Sequence, residues 1–312
     1  MPFSIGPHTW TRVLAPLLLV SVLSLGCDST SSRSGPPPFD DSPGWHRGAI
    51  EHNNQSRAFK YYVPGDLPGD APVVMALHGA TIGMDGMFAR SRTGSREWLE
   101  IADEEGVLIL VPNASHDVQP VWNDCTPLPT RGTPDDAGFL TALTDWTTSR
   151  ADVDADSVFV YGVSNGGQMA NRLATEHPDR YAGFAAFISN VTASLGDDEE
   201  CPMPSAPIPA LIVSGKTDAT TPFEGGFAPD WGDTLRSAPA TRDVWVDNNI
   251  QGDPPPRQTN QNTEDNSAVS CEITPAPQTG ADVQLCAFDG GHTVPAGLFE
   301  STRLTWRFFR GR

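Results

Sequence analysis

Basic residues are scarce in this sequence: 20 lysines and arginines stand against 39 aspartates and glutamates, for a net charge of −19 over 312 residues. So acidic a surface repels nucleic acid and anionic lipid, which excludes both as partners of the folded body, and it keeps an exported protein soluble. The apolar run Val13–Gly26, "VLAPLLLVSVLSLG", falls short of the roughly 20 residues a bilayer-spanning helix needs. With Arg12 as the sole charge before it, residues 1–26 read as an export signal. Cysteine is sparse, five in all, and no CxxC or HxxxH spacing supports a zinc site. No metal and no cofactor are expected. Internal repeats and long internal linkers are also missing, so the rest of the chain reads as a single large core.

The signal ends at Gly26-Cys27 and is followed by "DSTSSRSGPPPFDDSPG", rich in Ser, Pro and Gly and without periodicity. Residues 27–45 therefore read as a flexible tether. A signal, a border cysteine and a tether resemble the start of a bacterial lipoprotein. That resemblance implies a lipid on Cys27 as the chain's one link to a membrane, ordinary signal cleavage and secretion being the alternative. The folded domain is expected over residues 46–312. Cys125, Cys201, Cys271 and Cys286 form an even set suited to two disulfides in an oxidising compartment. Cys271 and Cys286 flank a turn-rich segment and could bridge locally, leaving Cys125 with Cys201, although three pairings are open.

From Ser56 onward, short apolar runs rich in β-branched residues alternate with segments of helical spacing. "RAFKYYVP", "APVVMALHG", "VLILVP", "SVFVYGVS", "YAGFAAFIS", "APIPALIVSG" and "VQLCAFDGG" read as strands. "REWLEIADEEG", "DDAGFLTALTDWTTSR", "GGQMANRLATEH" and "GLFESTRLTWRFFR" read as helices, the second capped by Asp135 or Asp136. Such alternation predicts an α/β fold: a mostly parallel sheet with helices on both faces and function at the carboxyl ends of its strands.

One strand end stands out. Gly162, Ser164 and Gly166 form G-x-S-x-G between the strand "SVFVYG" and a helix, a turn that would lift the serine hydroxyl above the sheet. A serine nucleophile needs a base, usually histidine. His8 leaves with the signal, His46 and His52 lie in or near the tether, and His177 is a whole helix away, about 20 Å at 1.5 Å per residue. His78 and His116 follow other strands, whereas His292 lies on the glycine-rich loop "FDGGHTVP" after the last strand. If the serine turn is arranged as in the α/β-hydrolase fold, the acid lies between serine and histidine in chain order at a strand end, where Asp218 in "ALIVSGKTDATTPF" fits. Asp243 and Asp247 fall on a helical segment, and the run Asp197–Glu200 looks like a solvated loop. Donors for an oxyanion are expected from the backbone N–H groups of Asn165 and Ala80. Trp122 and Phe223, on loops beside the predicted site, could wall the substrate or simply pack in the core.

The segments "LHGA", "DDAGFLTALTDW", "VFVYGVSNGGQMANRLATEHPDRYAGFAA", "VSGKTDATTPF" and "GGHTVP" resemble exported esterases of the poly(3-hydroxybutyrate) depolymerase and feruloyl esterase group, within the α/β-hydrolase fold. The resemblance spans most of residues 57–310. It implies Ser164 as nucleophile, His292 as base and Asp218 as acid, with a small or oligomeric ester as substrate, short hydroxyalkanoates or feruloyl esters. A serine peptidase of the same fold and a non-catalytic cell-surface binding protein are the rival functions. No sequence feature specifies an oligomeric state.

Overall fold

The computed structural model describes residues 36–88, 96–115, 119–126, 134–197, 201–260, 268–294 and 300–311. The signal, Cys27, His116 and most of the Asp197–Glu200 run lie outside the described residues. In chain order the elements are β1 (Gly44–His52), β2 (Gln55–Val63), β3 (Ala71–Leu77), α1 (Gly83–Gly86), α2 (Glu97–Glu105), β4 (Leu108–Pro112), α3 (Asp136–Thr148) and β5 (Val153–Val163). They continue with α4 (Asn165–Glu176), β6 (Gly183–Phe187), β7 (Ala210–Gly215), β8 (Gly226–Ala228), β9 (Asp233–Leu235), α5 (Ala238–Asn249), β10 (Gln258–Asn260), β11 (Val269–Thr274), β12 (Val283–Phe288) and α6 (Ser301–Arg310).

Ten of these strands form one sheet in the order β1-β2-β4-β3-β5-β6-β7-β12-β11-β10. Its middle, from β4 to β12, is parallel, and antiparallel pairs flank it on both sides. Alternate residues of the buried strands serve the two faces, as the period of two requires. Val73, Met75 and Leu77 of β3 join α3, α4 and α5 residues such as Leu143, Leu173 and Trp245. Val74 and Ala76 join Trp98 of α2 and Trp306 and Phe309 of α6. The expected parallel sheet with helices on both faces is the observed one.

Local signals explain the helix ends. Asp135, not Asp136, caps α3, its carboxylate accepting from the Gly138 N–H. Gly106 closes α2 in the left-handed conformation, at φ 68°. Ser237 caps α5 through the Ala240 N–H, with a proline in the first turn.

One segment departs from expectation. The stretch assigned to a tether is packed from Pro36 onward: Phe39 stacks on Tyr61 at 4.8 Å, and the Trp146 indole donates to the Pro37 carbonyl at 3.0 Å. Apolar contacts of Phe39 and the antiparallel pairing of β1 outweigh the local Ser/Pro/Gly composition, so residues 36–45, expected in the tether, belong to the folded body. The polar segment after Asp253 contributes β10 and β11, and β11 places Cys271 directly opposite Cys286 on β12. Disulfides join Cys271 to Cys286 and Cys125 to Cys201.

Candidate active site

Strand order reverses around β3, where the chain runs to β4 on one side and to β5 on the other; loops diverge there and leave a crevice at the carboxyl ends. Ser164 follows β5 at that point, with φ 56° and ψ −122°, a conformation a non-glycine residue holds only when its surroundings enforce it. The enforcement is visible. The Ser164 N–H donates to the Phe187 carbonyl of β6 at 2.8 Å, and its carbonyl accepts from Gly167 at 2.8 Å and Gln168 at 3.0 Å. A Cβ on Gly162 would collide with the Gly166 carbonyl, and one on Gly166 with the Leu77 carbonyl of β3. The glycines of G-x-S-x-G are thus set by close backbone approach.

The turn aims the Ser164 Oγ at His292 Nε2, 2.8 Å away, and the His292 Nδ1 lies 2.8 Å from Asp218 Oδ2. A carboxylate only accepts, so Nδ1 carries the proton and Nε2 is left to accept from the serine. Asp218 sits in the turn after β7, its Oδ1 accepting from the N–H groups of Thr220 (2.8 Å) and Thr221 (2.9 Å). The Thr221 hydroxyl, 2.7 Å from Asp218 Oδ2 and 3.0 Å from the Ile188 carbonyl, has one proton to give to either. Burial opposes the charge on Asp218, but the hydrogen bonds from His292 and Thr221 outweigh it and hold the carboxyl below its ordinary value. The rejected acids lie elsewhere: Asp243 pairs with Arg242 on α5, and Asp247 is exposed on the same helix. Of the other histidines, His177 ends α4, His52 contacts Asp135, and His46 contacts the Ser42 carbonyl.

His78 is fully buried beneath the site. Its Nε2 accepts from the Ala114 N–H at 3.1 Å, so its Nδ1 carries the proton and donates to the Gly79 carbonyl at 2.9 Å. Burial pushes this imidazole down to about 4, against a smaller opposing pull from the Gly79 carbonyl. The unfolded chain binds a proton here from about pH 6.5 downward, while the fold resists it until about pH 4. Stability is therefore lost as pH falls through that window, by roughly 3 kcal/mol from this group. Urea unfolding at pH 7.5 and 4.5 should show a drop about 2 kcal/mol larger for the wild type than for His78→Gln. Equal drops would contradict it.

Ser164 and His292 open onto a cleft of about 380 Å³ walled by Ile82, Met87, Val163, Ile188 and Trp231, with Ala80 and Asp230 also on its lining. Trp231 rides on the hairpin formed by β8 and β9, its indole donating to the Thr220 carbonyl at 2.9 Å. The aromatic residues assigned to a substrate wall do not line the cleft: Trp122 is fully buried, and Phe223 packs against the same core. The Trp122 indole donates to the His78 carbonyl and the Phe223 carbonyl accepts from the Ala238 N–H, contacts that no local signal encodes. Trp231, in the run "FEGGFAPDWGD" with Phe223 and Phe227, lines the cleft instead, and nothing in the sequence separates it from those two aromatic residues.

The putative esterase NocK of Nocardia uniformis subsp. tsuyamanensis is 30% identical over 277 residues, covering 78% of this chain and 72% of the relative. The chain belongs to this esterase family. Other esterases resemble it over less of their length. Feruloyl esterase B of Thermothelomyces thermophilus is 27% identical over 57% of this chain and 56% of its own. The poly(3-hydroxybutyrate) depolymerase of Ralstonia pickettii is 27% identical over 56% of this chain and 37% of its own. The family model described as the prolyl oligopeptidase family matches residues 137–200, from α3 through the Ser164 turn to β6 and beyond. An acetyl xylan esterase from Aspergillus awamori superposes with a TM-score of 0.61 at 16% identity, over 86% of this chain and all of that one. The architecture of this esterase is accordingly the α/β-hydrolase fold, and its two disulfides fit an extracellular setting.

Proposed function

We propose that the chain is an exported serine esterase that cleaves soluble carboxylic esters through an acyl-enzyme intermediate. The observation that carries this is the unbroken line from Ser164 Oγ to His292 Nε2 and from His292 Nδ1 to Asp218 Oδ2, both at 2.8 Å. In the first half-reaction His292 takes the Ser164 proton as the oxygen attacks the ester carbonyl carbon, and returns it to the departing alcohol as the C–O bond breaks. In the second, His292 takes a proton from water as its oxygen attacks the acyl carbon, and returns that proton to Ser164 Oγ as the acyl C–O bond breaks, releasing the acid and restoring Ser164. Asp218 keeps the proton on Nδ1 and offsets the charge of the imidazolium. The oxyanion would be received by the backbone N–H of Asn165, the first of α4 with no earlier helical carbonyl as its partner, and by that of Ala80 on the cleft lining.

The apolar walls Ile82, Met87, Ile188 and Trp231 suit a short hydroxyalkanoyl or an aryl group such as feruloyl. A walled cleft admits the end of a soluble oligomer, whereas a chain in a solid must first be drawn out of it. Soluble hydroxybutyrate oligomers and feruloyl esters should be hydrolysed faster than a polyester film, and the matching amides at least about a hundredfold more slowly than the esters, because an amine is a far poorer leaving group than an alcohol and depends more heavily on protonation by His292. Initial rates on the three classes at equal enzyme decide it. Faster clearing of film would refute the size argument. Amide turnover comparable with ester turnover would favour the peptidase reading, which the prolyl oligopeptidase match supports, and no turnover of any class would favour a binding protein.

A further inference from the structure

Ala80 and Asn165, the two proposed oxyanion donors, come from different loops, after β3 and after β5. Their N–H groups can share one oxygen only if the two loops are held in fixed register. The segment Pro120–Asp124 touches both. On the β3 side, the Pro120 carbonyl accepts from the Thr81 N–H at 2.9 Å, and the Trp122 indole donates to the His78 carbonyl at 2.9 Å. Ala80 lies between those two anchored residues, and Thr81 is held at φ 65°. On the β5 side, the Asn165 side chain clasps the Trp122 main chain: Oδ1 accepts from the Trp122 N–H at 2.7 Å, and Nδ2 donates to the Trp122 carbonyl at 3.1 Å and to Asp124. The Asn123 N–H is in turn held by Asp136 at 2.8 Å.

We infer that Trp122 is a positioning residue that locks the two halves of the oxyanion site to each other. It is fully buried and absent from the cleft lining, so it acts without touching substrate. Its indole N–H fixes the peptide leading into Gly79-Ala80, while its main chain fixes the residue that follows the nucleophile. Losing the indole N–H frees the first without removing the second, and the two donors then no longer converge. The tetrahedral intermediate, whose oxygen needs both, is weakened more than the bound ester, whose carbonyl carries little charge. This inference rests on the serine esterase reading.

The test is kinetic, with purified full chain and p-nitrophenyl butyrate. Trp122→Phe should lower kcat about 10- to 100-fold with KM changed less than about threefold, since a misplaced donor costs part of what a deleted one does. The affinity for phenylboronic acid, whose serine adduct is tetrahedral and anionic, should fall by about the same factor as kcat. Phe184→Leu, a buried core change on β6, should lower the melting temperature while leaving kcat within about twofold. A folded Trp122→Phe with kcat within threefold of the wild type, or with kcat lowered and boronate affinity unchanged, would overturn the inference. Should that variant not fold, Asn165→Ala, which keeps the backbone N–H and removes the clasp, takes its place: parallel losses of kcat and boronate affinity uphold the locking role, and any other result overturns it. If Ser164→Ala stays active the serine reading falls with this one; if it is inactive and Trp122→Phe is unaltered, only the locking role falls.

Discussion

Ser164→Ala should lose ester hydrolysis by at least about three powers of ten while remaining folded, because a nucleophile and its base act as one unit. The fold should survive for a reason visible in the turn. Ser164 is held at φ 56° by backbone bonds alone, its N–H to Phe187 and its carbonyl from Gly167 and Gln168, and alanine keeps all three. Alanine also shares the serine Cβ, so it meets the same φ/ψ restriction and no more. His292→Ala should be equally damaging, and His177→Ala, at the far end of α4, should leave activity unchanged. Initial rates on p-nitrophenyl butyrate beside a thermal melt separate chemistry from folding. More than a tenth of wild-type activity in folded Ser164→Ala would remove it from the nucleophile's role.

Asp218→Asn should cost on the order of a thousandfold in kcat, with little change in stability. The N–H groups of Thr220 and Thr221 both point at Oδ1, so the asparagine carbonyl oxygen will occupy that place and its amide nitrogen must face His292. An amide N–H donates to His292 Nδ1 and forces the imidazole proton onto Nε2, the atom that should accept from Ser164. The histidine is then in the wrong tautomer. Removing a buried charge relieves desolvation, which limits the damage to the fold. Asp247→Asn, exposed on α5, serves as the control. A strong loss there and none at residue 218 would name a different acid.

The central sheet was legible because its strands are buried on both faces and read as short apolar runs, and because the intervening helices carry periodicity and end signals such as Gly106. Ser164, Asp218 and His292 were legible from chain order and from their places after β5, β7 and β12, which the backbone brings together without any local contact in sequence. The outer elements were not. β1 begins inside a Pro/Ser/Gly-rich stretch, and in a polar one Gln258 and Thr259 of β10 are exposed while β11 alternates buried and exposed positions, so pairing with a neighbour decides these strands and composition misleads. The same reason applies to Trp122, which is buried in the core, and to Trp231, which lines the cleft. Both are aromatic residues on loops, and only the tertiary course of the loop determines whether such a residue faces the core or the cleft.

The most direct measurement is covalent: the purified chain is treated with a fluorophosphonate, which phosphonylates an activated serine with loss of fluoride, and the modified peptide is mapped by mass spectrometry. One phosphonyl group per chain is expected, on Ser164, with ester hydrolysis lost in proportion to labelling and no label on Ser164→Ala. Labelling at another residue, or full hydrolytic activity in a completely labelled chain, would contradict the assignment of Ser164 as the nucleophile.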